Sequence, residues 1–171
     1  FFVPMRNIRM TLEYDGTAYA GWQRQKNGLS IQQVLEEKIA VMTGEAVKVA
    51  GSGRTDAGVH ALAQVASFRT VTAIPARNLL LGLNSLLPAD IAVLELDEAP
   101  EAFHARHSAT GKVYLYRILN RSVRSPLHRH FAWEIFQPLD VPAMAAAAAH
   151  LRGTHDFTSF STVHSDAPHR V

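Results

Sequence analysis

Gly51-Ser52-Gly53-Arg54-Thr55-Asp56-Ala57-Gly58-Val59-His60 places three glycines, an arginine, an aspartate and a histidine in ten positions. Such a segment makes a poor helix or strand, because glycine takes positive φ readily and lets a backbone or ligand come close. A carboxylate with a cation nearby stays ionised and can act as nucleophile or base. A guanidinium two residues away can pair with that carboxylate or grip a phosphate through two parallel bonds. The plain alternative is a turn aspartate bonding nearby amides. Phosphate-loop readings fail on spacing. Gly53 and Gly58 stand like a Walker A pair, but Val59 and His60 occupy the Lys and Ser/Thr positions, and Asp56 replaces the third glycine of a dinucleotide fingerprint.

Other residues invite weaker readings. Glu13-Tyr14-Asp15-Gly16-Thr17 resembles the Asp-x-Asp-Gly-Thr motif of haloacid-dehalogenase-like phosphatases, with Glu at the nucleophile position. A misplacement of about an ångström costs ~100-fold, so Asp15-Gly16 reads better as a turn. His104 and His107, and His128 and His130, lack a third ligand at metal-binding spacing, so no metal site is read from the nine histidines. Tyr114 and Tyr116 alternate along an apparent strand and can face one side, either as core or as a platform for base stacking. Arg117, Arg121, Arg124 and Arg129, with His128 and His130, read as a solvated basic surface unless nucleic-acid signals accompany them.

The 171 residues, 47% hydrophobic and 19% charged, suit one domain or one domain and part of another. Net charge is only +2, with a pI of about 9.2. The absence of cysteine removes disulfides, thiol nucleophiles and Cys-ligated zinc. No apolar run approaches the roughly 20 residues of a membrane span. Phe1-Phe2-Val3-Pro4 is too short for a signal peptide, and Met5 reads as a natural start.

The elements that must position the loop follow from periodicity. Ile8, Met10, Leu12 and Tyr14 alternate with polar residues as a half-buried strand. Ser30 and Gln33 form a capping box for a helix with Ile31, Val34, Leu35, Ile39 and Met42 on one face, stopped by Gly44. Strands over 47–50 and 64–69 flank the glycine loop. A helix over 75–86 turns Leu79, Leu80, Leu83 and Leu86 inward, and a strand follows at 91–96. The fold expected is therefore α+β: a ferredoxin-like βαββαβ unit with an antiparallel sheet, two helices on one face and the other face free. An incomplete second unit of similar kind follows, with strands over 113–119 and 131–136 and a helix capped by Asp140 with Gly153 beyond its end. The expected division is 6–105, carrying the loop, and 106–171, with a polar tail ending at Val171.

Several segments together resemble the tRNA pseudouridine synthase A family. They are Tyr14-Asp15-Gly16-Thr17-x-Tyr19-x-Gly21-Trp22-Gln23-x-Gln25, the Gly53–His60 run with Gln64-Val65, Asn84-x-x-Leu87-Pro88-x-Asp90-Ile91, Phe103-His104-Ala105-Arg106-x-Ser108-Ala109, Tyr114-x-Tyr116, and Gly153-x-His155-Asp156-Phe157-x-Ser159-Phe160. The resemblance implies an isomerase that makes pseudouridine from uridine at positions 38, 39 and 40 of the tRNA anticodon stem-loop. It implies Asp56 as nucleophile on a flipped-out nucleotide, Arg54 in base extrusion or as charge partner, and Tyr114 stacked on the uracil. Arg24, Lys26 and Arg106 would contact phosphate. No metal or organic cofactor, a cytoplasmic homodimer and no membrane association are implied as well. Family members continue past the position of Val171 and there supply an arginine for the aspartate, so an inactive fragment is one alternative. A non-catalytic RNA-binding ferredoxin-like module is the other.

Overall fold

Ile8, Met10, Leu12 and Tyr14 are buried along β1 (Arg6–Tyr14), while Arg9 and Glu13 are exposed. This is the period-two pattern of a strand with one face on a core. The structure, a computed structural model, describes residues 4–160; the tail ending at Val171 lies outside them from residue 161 on. The chain falls into two units, Phe1–Tyr114 and Leu115–Val171.

The first unit runs β1, α1 (Ile31–Thr43), β2 (Ala50–Gly51), β3 (Ala61–Thr70), α2 (Ala76–Leu86) and β4 (Ile91–Ala99). Its sheet has the order β2-β3-β1-β4, with every neighbouring pair antiparallel. That is the expected ferredoxin-like unit. Ser30 caps α1 by accepting from the Gln33 amide at 3.2 Å, but the Gln33 side chain turns to Glu37 (2.9 Å) and leaves the box half made. Gly44, φ +77°, ends the helix. Ile31, Val34, Leu35 and Ile39 of α1 join Leu79 and Leu83 of α2 and the inner residues of β1, β3 and β4 in one core. Truncating such a residue to Ala costs about 2–5 kcal/mol.

The details differ from expectation in three places. The strand before the glycine loop shrinks from 47–50 to Ala50–Gly51, because ladder pairing with β3 begins only at Ala50 opposite Ser67. Leu86 is exposed, and Leu87, one residue past the helix, is buried in its place. The sheet face away from the helices is not free. Asn7 Nδ2 donates to the carbonyls of Pro100 (2.9 Å) and Phe103 (2.8 Å), the Ala105 amide donates to Ser67 Oγ (3.1 Å), and Phe103 lies under the Arg9 guanidinium. Residues 100–105 therefore cover part of that face.

The second unit contains β5 (Ile118–Asn120), β6 (Trp133–Ile135) and α3 (Val141–Ala149). β5 and β6 pair in parallel. Asp140 caps α3 by accepting from the Ala143 amide at 2.9 Å, with Pro142 in the first turn. The expected strand over 113–119 is a correction: among the described residues 113–117 have no ladder partner, and the strand is only Ile118–Asn120. Tyr114 and Tyr116 therefore do not share a strand face, and they are 74% and 84% exposed.

Tyr19 joins the sheet's edge to the turn after β1. Its hydroxyl donates to Asp90 Oδ1 at 2.6 Å, and burial, aided by Asp90, holds its proton well above the ordinary phenol range. A raised folded-state value gives stability that is complete below about pH 10, where free tyrosine ionises, and declines as pH rises further. Tyr19→Phe is expected to cost about 1 kcal/mol near neutrality and to lessen the alkaline decline. Denaturant unfolding at neutral and alkaline pH measures both.

Candidate active site

The 51–60 loop is held on both shoulders. On one side Ser52 N–H donates to Val65 O (2.8 Å), Ser52 Oγ donates to Gln64 Oε1 (2.9 Å), and Gln64 Nε2 donates to Gly53 O (2.5 Å). On the other side lies the segment 14–22. Trp22 N–H donates to Thr55 O (2.9 Å), Gly58 N–H to Tyr19 O (3.2 Å) and Gly16 N–H to His60 Nδ1 (3.2 Å). The Tyr14 hydroxyl and Thr55 Oγ1 are 2.9 Å apart, and burial pushes the Tyr14 phenol upward. His60 Nδ1 also lies 3.0 Å from Asp15 Oδ1, which accepts from the Thr17 amide and so caps the turn after β1. Asp15-Gly16-Thr17 is thus a structural turn that grips the loop.

Two glycines make the grip possible. A Cβ on Gly16 would stand 2.0 Å from Val59 O; one on Gly21, φ +90°, would stand 2.5 Å from Thr55 O and 3.0 Å from the Asp56 carbonyl carbon. The two backbones touch directly where any side chain would separate them. Within the loop, Val59 N–H returns to Asp56 O (3.2 Å), closing a turn across Ala57 and Gly58.

Asp56 and Arg54 are both exposed. Among the described residues neither side chain has an ion-pair or hydrogen-bond partner, so no pair joins them. The loop's backbone does the holding and leaves the carboxylate and guanidinium available to something else. Lys112 lies beside Gly53: its Cε and Nζ are 3.3 Å from where a Cβ on Gly53 would stand. In the sequence the only signal for this lysine is its place two residues before Tyr114, and His60 and Gln64 stand out only as members of the family motif.

The remaining candidates are dispersed. Tyr114 is exposed at the end of the first unit. Arg24 is half-exposed and paired with Glu36 at 3.0 Å. Lys26 is exposed in a bend. Arg106 is exposed in a turn whose amide donates to His104 Nδ1 (3.1 Å). The rings of His104 and His107 lie 4.5 Å apart, and among the described residues no three His, Asp or Glu side chains are grouped to hold a metal ion. No helix among the described residues is long and apolar enough to cross a membrane.

The amino-acid sequence has relatives. A family profile described as tRNA pseudouridine synthase matches residues 10–108, more than half of the chain, which therefore belongs to that family. Individual relatives agree. The tRNA pseudouridine synthase A of Myxococcus xanthus is 51% identical over 167 residues, covering 98% of this chain and 63% of the relative. The proteins of that name from Thermoanaerobacter sp. (strain X514) and Pelobacter propionicus are 51% and 53% identical over 156 residues, covering 91% of this chain and 64% of each relative. The chain spans about 63% of the length of the curated relatives it matches.

Proposed function

We propose that the intact protein converts uridine to pseudouridine in the anticodon stem-loop of tRNA, at positions 38 to 40, with Asp56 as nucleophile. The observation that carries this reading is a carboxylate left exposed, and unpartnered among the described residues, on a loop whose backbone is fixed from both sides. The reaction is an isomerisation. The C1′–N1 bond breaks, a C1′–C5 bond forms, the C5 hydrogen leaves as a proton, and N1 gains one. Attack by Asp56 on the base and attack on the sugar both fit that balance. The target nucleotide must first leave its stack. Arg54 is assigned to that extrusion and as the cation beside Asp56, and Tyr114 to stacking on the uracil. Arg24, Lys26 and Arg106 are assigned to backbone phosphates, Arg24 by exchanging Glu36 for phosphate.

The proposed protein is a cytoplasmic homodimer that uses no metal or organic cofactor. In functional terms residues 6–105 form the domain that carries the loop, and 106–171 open a second one. Incubating the intact protein with tRNA tritiated at uridine C5 tests the reading. Release of tritium to water supports it, and none sinks it.

Lys112 adds a cation at the loop's rim. Lys112→Met is expected to weaken tRNA binding several-fold and to reduce the salt dependence of binding by about one unit of slope. Turnover at saturating tRNA should change little, and Lys112→Arg should restore affinity. Binding titrations across salt concentrations check this.

A further inference from the structure

Charge is spread unevenly along this chain. Residues 102–133 hold six of the 17 Lys and Arg and none of the 15 Asp and Glu. They carry +6, while the other 139 residues, with 11 basic and 15 acidic side chains, carry −4. The densest part is 121–130, the loop between β5 and β6 in the second unit, with Arg121, Arg124, Arg129, His128 and His130.

This loop is organised. Ser125, only 5% exposed, is its pivot: its amide donates to the Glu134 carboxylate, and its hydroxyl bonds His128 Nδ1 at 2.9 Å. The amides of Phe131 and Ala132 both donate to His128 O, at 2.8 and 2.9 Å. Arg121 Nη2 donates to Arg124 O (2.5 Å) and Arg129 Nη1 to Pro126 O (2.6 Å). A carbonyl orients a guanidinium without neutralising it. All three arginines are exposed, and among the described residues none lies within ion-pair distance of a carboxylate.

Three of the first unit's seven arginines, Arg6, Arg9 and Arg24, face a carboxylate, on Glu98, Asp97 and Glu36, whereas none of the loop's three does among the described residues. Setting three like charges on one short loop, whose nearby carboxylate, Glu134, is bound to the Ser125 amide and pairs with none of them, costs self-repulsion. An external polyanion removes that cost. The guanidinium fork suits phosphate oxygens, and each arginine retains free N–H groups for them.

We propose that the 121–130 loop is a backbone anchor for RNA, with Arg121, Arg124 and Arg129 each binding phosphate independently of sequence. The inference rests on tRNA being the substrate, and it assigns this loop to affinity, leaving the chemistry to the Asp56 loop.

The test uses the intact protein and tRNA, with affinity followed between roughly 50 and 200 mM salt. The triple variant R121Q/R124Q/R129Q is expected to bind about tenfold or more weakly, with the salt slope lowered by about two to three. Its turnover at saturating tRNA should stay within about twofold of the parent's. The corresponding triple Lys variant should keep the slope. Arg124→Gln alone removes a guanidinium that bonds nothing among the described residues. It should lower the slope by about one and guards against misfolding of the triple variant. An unchanged slope in the Gln variants overturns the anchor. So does a triple Lys variant as impaired as the triple Gln one, which would make the arginines mere clasps for the loop. The two readings fail separately. A parent protein that modifies tRNA while the Gln variants bind normally removes the anchor alone. A parent that modifies no tRNA, yet binds it through these arginines, removes the catalytic reading alone.

Discussion

Asp56→Asn in the intact protein is expected to lower release of the uridine C5 hydrogen by roughly 10⁴-fold or more, the scale of removing a nucleophile. The substitution keeps size and polarity but removes the charge and the attacking oxygen. Folding stability should hold within about 0.5 kcal/mol, because the carboxylate is exposed and unpartnered among the described residues. The contacts that fix this stretch come from the backbone of Thr55, Asp56 and Gly58 and from the side chain of Thr55. Binding of tRNA should be kept or slightly strengthened, since an anion leaves a surface that meets phosphates. A turn aspartate would behave in the opposite way, with stability lost and turnover kept. Measuring tritium release, tRNA affinity and denaturant midpoint on the same preparation separates the two.

Gly21→Ala is expected to be nearly as damaging, by a different route. The new methyl would stand 2.5 Å from Thr55 O, at a residue with φ +90°. Both obstacles are backbone, so no side chain can swing aside. The positive φ alone costs roughly 1–3 kcal/mol for a residue with a Cβ. Relieving the overlap must move the 54–57 stretch by about an ångström, and a misplacement of that size costs about 10²-fold in turnover. Gly16→Ala, with its overlap on Val59 O, should act alike. Gly111→Ala has nothing within 4 Å of the new Cβ and should stay within about 0.5 kcal/mol of the parent. Single-turnover rates and thermal midpoints for the three variants check this. Near-normal turnover by Gly21→Ala would show that the clamp does not set the position of Asp56.

The parts legible in the sequence were those whose signal is local. The alternation of Ile8, Met10, Leu12 and Tyr14 is printed in the chain and becomes β1. Ser30 before an apolar face and Gly44 after it mark α1 at both ends. The loop was legible as a site because glycine, arginine and aspartate seldom share ten residues for packing reasons. What was not legible depends on partners far away in sequence. Tyr114 and Tyr116 have the spacing of a strand, but a strand needs a ladder, and β6 meets the chain only from Ile118. Leu86 and Leu87 differ in burial because α2 ends between them. The cover that 100–105 puts on the sheet is made by the amide of Asn7 and the hydroxyl of Ser67, each pointing away from the core that periodicity reports. The grip of 14–22 on the loop joins residues some forty positions apart. Sequence showed both motifs but not that one is the mould of the other. Lys112 was hidden for the same reason, since its neighbour Gly53 lies in another part of the chain.

Chemical mapping of pseudouridine, nucleotide by nucleotide, in tRNA incubated with the intact protein tests the central claim most directly. New pseudouridine is expected at uridines 38, 39 and 40 with the parent protein and at none of them with Asp56→Asn. Uridine unchanged at those positions with the parent, or converted equally well by Asp56→Asn, would contradict the assignment of the clamped carboxylate as the group that starts the reaction.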